Sequence, residues 1–378
     1  MLQLVPALDE GGVERGAVEI AEAIVRAGGR ALVASAGGRL ERELERAGGE
    51  LVRMRLGSKN PLRLPGTIRA LRGLIRRERI GIVHARSRAP AWAGLFAARA
   101  EGAAFVTTYH GTYSEGGLPF KRLYNSVMAR GRPVIAISDF IARLVAERHG
   151  VPSEAIVTIP RGADLAAFDP DLVSVERTVG LLRAWRMEDD PRPIVLLPAR
   201  LTRWKGQAVL IEAAARLKGP DGRLPCRIVL AGGPLRSPFG RELVALAERL
   251  GIEADVSLVG PVADIAAALK LASVVVAPST APEAFGRAAI EAQAMGRPVI
   301  ASDHGGARET VAHGRSGWLV PPGDPAALAE ALRAALALDE SARAHMGLAG
   351  RAEVARRFST AAMQAATIEV YRRVLGLD

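Results

Sequence analysis

Short apolar runs alternate with amphipathic stretches along almost the whole chain, and this alternation limits the fold more than any other feature. The runs LQLVPAL, RALVASA, ELVRM, GIVHAR, AAFVTTY and PVIAIS are each followed by a segment with helical periodicity. Apolar runs of strand length without a polar alternation belong to strands covered on both faces, as in a parallel sheet with helices on each side. A first doubly wound α/β domain is therefore expected over residues 1–175. After FDPD at 168–171 the rhythm lapses into a charged helical segment ending in MEDDPRP, where acids and prolines crowd together. A linker is expected at 176–192. Alternation restarts with PIVLLPA, RIVLA, ADVSLVG, SVVVAP and PVIAS, so a second such domain is expected over 193–358, with a terminal helix at 359–378 crossing back to the first. The expected whole is two tandem doubly wound domains with a cleft between the carboxyl ends of their sheets.

The chain's 378 residues exceed one ordinary core. No apolar stretch is long enough to span a membrane, and MLQLVPALDE lacks the basic-then-apolar order of a signal peptide. The single cysteine, Cys226, excludes internal disulfides and fits a reducing compartment. A cytoplasmic location is the corresponding expectation. The net charge of +11 favours anionic partners. Aromatics at 4% argue against stacking on nucleic acid. Between Thr67 and Arg79 the spacing sets Ile68, Leu71 and Ile75 on one helical face and Arg69, Arg72, Arg76 and Arg79 along another. That stripe fits either an anionic membrane surface or an ordinary solvated face.

Chemistry concentrates in two segments of the second half. RLTRWKG at 200–206 follows a buried strand directly and opens a helix, so Arg200 and Lys205 flank a helix amino terminus. Two cations beside its unpaired N–H groups make an anion site suited to a diphosphate. EAFGRAAIE at 283–291 follows SVVVAPST in the same way and brings Glu283, the Phe285 and Gly286 amides and Glu291 to one strand end. Carboxylates do not bind phosphate; they accept hydrogen bonds from hydroxyls, as of a sugar and a ribose. Sugar, ribose and diphosphate together describe a nucleotide sugar. Asp169-Pro170-Asp171 has the form of a metal-binding Asp-x-Asp, yet its place just before the linker fits a turn. The expected metal requirement is none.

The patterns R200-x4-K205 and E283-x-F-G-x4-E291 resemble those of retaining glycosyltransferases of the GT-B fold, family 4. GGARETV at 305–311 and GRSGWLVPPGD at 314–324 look like that family's loop-helix and hairpin around the donor. The resemblance continues in GGVERG at 11–16, TTYHG at 107–111, VIAIS at 134–138 and IPRGADLAAF at 159–168. It implies two Rossmann-like domains, with Arg200 and Lys205 on the donor diphosphate, Glu291 on the ribose, and Glu283 with the Phe285 and Gly286 amides on the sugar. It further implies His110 facing the transferred sugar and Gly11 and Gly12 letting backbone amides approach the donor. Ala199 and Arg161 stand where the family commonly has Gly and Asn. Arg161 is expected as a cation facing the space between the domains, and KNP at 59–61 and SRAPAW at 87–92 supply further acceptor candidates, Arg88 and Trp92. Arg88 could meet a phosphate or carboxylate and Trp92 a sugar face, or the segment could serve only to start a helix.

The resulting expectation is a retaining, metal-independent transferase needing no cofactor beyond its nucleotide diphosphate sugar. Its acceptor would be a glycan or lipid-linked hydroxyl, in cell-envelope polysaccharide, lipopolysaccharide or glycolipid synthesis. A nucleotide-sugar epimerase of the same fold and a non-catalytic basic surface-binding protein are the rival readings.

Overall fold

A computed structural model of the protein describes residues 1–9, 11–58, 60–113 and 119–377. The chain forms two compact units, Met1–Pro160 with Thr360–Asp378, and Arg161–Ser359.

The first unit is built on strands β1 (Leu2–Leu4), β2 (Leu32–Ser35), β3 (Glu50–Arg53), β4 (Ile82–Ala85), β5 (Ala104–Tyr109), β6 (Val134–Ala136) and β7 (Ile156–Thr158). They pair in the order β3-β2-β1-β4-β5-β6-β7, every pair parallel. Both faces are covered, so β1, β2 and β4 are buried at every residue. Even Gln3 is enclosed; its side-chain amide donates to the Ala17 carbonyl at 2.8 Å. The helix Gly12–Arg26 buries Ala17, Ile20, Ala21 and Ile24, the i, i+3, i+4, i+7 stripe that a sheet-covering helix needs.

The last helix, Thr360–Leu375, packs on Gly12–Arg26 through Met363, Thr367, Val370 and Tyr371. Each large apolar side chain buried here contributes about 1.5–3 kcal/mol. A polar pin accompanies them. His84 lies between the Tyr371 hydroxyl at 2.6 Å and Thr108 Oγ1 at 2.7 Å, and burial holds the imidazole well below its ordinary pKa.

In the second unit β8 (Ile194–Pro198), β9 (Arg227–Ala231), β10 (Val256–Gly260), β11 (Ala272–Ala277), β12 (Val299–Ser302) and β13 (Gly317–Val320) pair in the order β10-β9-β8-β11-β12-β13, again all parallel. The doubly wound architecture expected for both halves is present. Strand order reverses between β8 and β11, and ligands of such sheets bind outside the carboxyl ends at that point.

Three expectations about connections are corrected. Segment 314–324 is not a hairpin: Gly317–Val320 is β13, which continues the sheet beside β12. Residues 176–192 are not a spacer either, because a helix spans Val175–Trp185 and its Arg177 forms a two-pronged pair with Asp264 at 2.7 Å. Of the acids in 187–193, Asp190 is an ion-pair partner instead of a solvated linker charge, while Glu188 and Asp189 are exposed. Arg192 binds Asp190 at 2.6 Å and Asp255 at 2.7 Å, and this guanidinium holds the Asp190 carboxyl down at about 2. The compact units accordingly divide at Pro160–Arg161, earlier than residue 175.

Candidate functional site

Three strand-end loops of the second unit converge at its switch point. After β8 the chain runs through Arg200 and Lys205 and enters the helix Gln207–Ala215 at Gly206. After β11 it passes Pro278 and Ser279 to Glu283 and enters Arg287–Ala294 at Gly286. The Thr280 amide donates to the Trp204 carbonyl at 2.8 Å, joining the two loops. Gly206 lies where they press hardest. Its φ is +77°, and a Cβ there would come 1.9 Å from the Pro278 carbonyl oxygen. The loop after β12 closes the third side. The Gly306 amide donates to the Glu283 carbonyl at 2.8 Å, and His304 Nε2 donates to the Ser279 carbonyl at 2.7 Å. A Cβ on Gly306 would meet the Phe285 backbone at 2.5 Å.

The helices entering at Gly206 and Gly286 have no side-chain cap, and neither has Gly12–Arg26, which begins after Gly11. Six other helices are capped by Ser138, Ser174, Ser237, Asp264, Asp324 and Asp339, although Glu41–Arg46, Leu64–Arg77 and Arg88–Ala100 also lack a side-chain cap. Helix amino termini left without a side-chain acceptor beside strand ends are suited to an anion. At Gly11 an acid of the chain stands close by, since a Cβ would lie 2.3 Å from Glu14 Oε2.

Arg200 is exposed and makes no ion pair among the described residues. Lys205 and Glu283 are largely enclosed, and Nζ donates to Oε1 at 2.8 Å. The Ser279 hydroxyl donates to the same carboxylate oxygen, and the Lys205 ammonium also rests 4.3 Å from the centre of the Trp204 ring. Glu291, four residues into its helix, pairs with Arg287 at 2.8 Å. Phe285 turns its ring inward, edge-on to Phe358. Of the two motifs expected to share one ligand, Lys205 and Glu283 thus meet and neutralise one another, while Glu291 is neutralised by Arg287 of its own helix. Spacing gives no signal for the Lys205–Glu283 pairing or for the part of Ser279, whereas Arg287 and Glu291 stand at the i, i+4 spacing of a helical ion pair.

In the first unit, His110 stands at the carboxyl end of β5, where its amide meets the Tyr113 hydroxyl at 3.4 Å. Arg88 donates to Asn125 Oδ1 at 2.7 Å and lies 4.3 Å from the centre of the Tyr113 ring, so its cation is already engaged. Trp92 packs within its helix, stacked on Phe96 and donating to the Tyr124 carbonyl at 3.3 Å. Arg161, expected as an open cation, is only 3% exposed and falls in the second unit. Of KNP at 59–61, Lys59 lies outside the described residues; Asn60 caps a short helix by accepting from the Leu62 amide. The arginine stripe is partly spent within the molecule, for Arg72 and Arg76 both bind Glu101. Arg86 was not singled out by its sequence context, yet it is a buried cation at the end of β4, donating to Gln3 Oε1 at 3.1 Å, and burial lowers its pKa.

Asp169 accepts from the Asp171 amide at 3.0 Å and pairs with Arg351 at the same distance. The Asp-x-Asp sequence forms a turn cap. Among the described residues no group of three or more His, Cys, Asp or Glu is arranged to hold a metal. No helix among them is long and apolar enough to cross a membrane.

Residues 183–353 match the family described as Glycosyl transferases group 1, and residues 10–167 match Glycosyltransferase Family 4. A glycosyltransferase from Rickettsia africae ESF-5 superposes with a TM-score of 0.89 at 33% identity, covering 99% of this chain and 98% of that one. Anabaena HepE, solved with UDP and glucose, gives a TM-score of 0.83 at 25% identity over 98% of each chain. Among curated proteins, D-inositol 3-phosphate glycosyltransferase of Nocardia farcinica is 34% identical over 254 residues, 66% of this chain and 54% of its own. The chain spans about half the length of the curated relatives it matches. With two all-parallel doubly wound units and the loops of the second converging as described, the chain belongs to the group 1 glycosyltransferases of the GT-B fold.

Proposed function

We propose that the protein is a retaining glycosyltransferase that moves a sugar from a nucleotide diphosphate sugar to an acceptor hydroxyl. The observation that carries this reading is the contact of Lys205 with Glu283 at the β8–β11 switch point, with Arg200 on the same loop as Lys205 and Glu291 in the helix that follows Glu283. The presence of UDP and glucose in the Anabaena relative supports the donor class. Arg200, Lys205 and the amino terminus of Gln207–Ala215 stabilise charge on the departing diphosphate, where preorganised donors are most effective. The bond from the sugar's anomeric carbon to the phosphate oxygen breaks as the acceptor oxygen bonds on the same face. The leaving phosphate oxygen takes the acceptor's proton. Glu283 and the Phe285 and Gly286 amides orient the sugar, and Glu291 the ribose. The two cations supply the positive charge that a divalent ion provides elsewhere, so no metal is required.

The acceptor in this reading is a glycan or lipid-linked hydroxyl of the cell envelope, reached from the cytoplasm, with an anionic membrane as an adjoining surface. The net charge of +11 supports an anionic acceptor or surface, as do curated relatives named for D-inositol 3-phosphate. A thermal-shift panel of UDP, GDP, ADP and their sugar conjugates tests the donor, because a ligand that binds only the folded state raises its stability. No shift with any of them refutes the donor class. An isomerised donor formed without acceptor would favour an epimerase, and an inverted anomeric product would refute retention.

A further inference from the structure

We infer that Glu283 has a second duty: once the sugar has been transferred, it competes with the spent nucleotide diphosphate for Lys205 and so promotes product release. The inference rests on the donor reading above and concerns what the same carboxylate does when no sugar hydroxyl faces it.

The Lys205 and Glu283 side chains are 19% and 16% exposed, so their 2.8 Å contact is poorly screened by solvent. The carboxylate cannot drift away, because the Gly306 amide holds its backbone carbonyl and the Ser279 hydroxyl its Oε1. Lys205 is equally confined. Its loop is pinned by the Gly206 contact with Pro278 and its ammonium rests on Trp204. Diphosphate and carboxylate must therefore share one ammonium at nearly fixed positions, and each weakens the other's hold. A sugar-bearing donor offsets the loss, since its hydroxyls donate to Glu283 in place of the ammonium. A nucleotide diphosphate alone brings nothing to Glu283. A partly buried carboxylate that loses its cation without replacement is destabilised, so re-forming the pair favours departure of the product and retention of the intact donor.

The test is calorimetric titration of UDP and UDP-glucose, with GDP and GDP-mannose and ADP and ADP-glucose alongside, into the wild-type chain, Glu283→Gln, Lys205→Met and the double variant. The expected result is that Glu283→Gln binds the nucleotide diphosphate about tenfold tighter, the scale of a charged hydrogen bond, while binding the sugar conjugate severalfold more weakly. In the Lys205→Met background the gain for the diphosphate should fall to within about twofold. Equal tightening for diphosphate and sugar conjugate would show general charge repulsion and overturn the exchange. So would an unchanged or weaker affinity of Glu283→Gln for the diphosphate, or a gain that persists without Lys205. Failure of every nucleotide to bind the wild-type chain would instead overturn the donor reading itself.

Discussion

Gly206→Ala is the substitution whose consequence can be worked most directly from the geometry. A residue with a side chain pays about 1–2 kcal/mol to adopt the left-handed conformation, and Gly206 has φ +77°. The new Cβ would also lie 1.9 Å from the Pro278 carbonyl oxygen and 2.7 Å from its carbon. Those are backbone atoms, so relief requires parting the loops after β8 and β11. Overpacking of this kind adds about 1–3 kcal/mol. Gly222 supplies the control: its φ is +78°, and a Cβ there meets nothing within 4 Å. Gly222→Ala should therefore show the conformational cost alone, and Gly206→Ala should be less stable than it by about 2 kcal/mol. For a unit of this size that difference lowers Tm by roughly a further 4–8 °C. Parting the loops also moves Arg200, Lys205 and the amino terminus of Gln207–Ala215 off their positions, so nucleotide diphosphate affinity should fall about tenfold or more in Gly206→Ala and remain unchanged in Gly222→Ala. Thermal unfolding followed by circular dichroism, with and without nucleotide, reads both quantities. Equal Tm and equal nucleotide affinity in the two variants would refute the claim that this contact holds the site together.

Lys205→Met or Arg200→Met should lower turnover by on the order of 10²-fold, the usual effect of losing a group that stabilises leaving-group charge; near-normal rates in both would remove them from that role. Activity should survive exhaustive EDTA treatment, and strict dependence on an added divalent ion would contradict the assignment of charge neutralisation to Arg200 and Lys205. His84 provides a pH test. Its imidazole is held well below the ordinary pKa of about 6.5, so on acidification the unfolded chain takes up a proton that the folded chain refuses. Stability is therefore lost as pH falls below about 6.5, by up to ~1.4 kcal/mol per pH unit from this group. Urea titrations at pH 6 and pH 5 should show a shallower loss in His84→Gln, and an identical slope would mean that the imidazole titrates normally.

Continuous apolar runs made most strands legible, because a strand covered on both faces cannot hide its composition. The strands that escaped are at sheet edges. Ile156–Thr158 is three half-exposed residues, and Gly317–Val320 begins with a glycine and reads as part of a turn. That glycine is required by packing, since a Cβ would fall 1.9 Å from the Val299 carbonyl oxygen. The motifs at 200–206 and 283–291, proposed to hold the donor, stood out because each is local, a few residues after one strand. The bond between Lys205 and Glu283 did not, for it depends on which strands become neighbours. Acids and prolines at 187–193 suggested a spacer, whereas Asp190 and Asp255 are anions for Arg192, a long-range pairing that composition cannot reveal. Arg161 likewise looks exposed by residue type, and only the fold shows it buried.

The first unit is interrupted in sequence by the whole of the second, and this orders its assembly in time. Synthesis runs from the amino terminus, so the partner surface for the helix Gly12–Arg26 and the hydroxyl that meets His84 emerge last, in Thr360–Leu375. Until then the stripe that will bury Met363, Val370 and Tyr371 stays open to solvent, and a nascent chain ending near residue 160 carries a sheet with one polar pin unmet. The second unit, continuous from Arg161 to Ser359, has no such wait. The earliest residues made are thus among the last to be locked, and hydrogen exchange on stalled chains should find β4 less protected until the helix Thr360–Leu375 has left the ribosome.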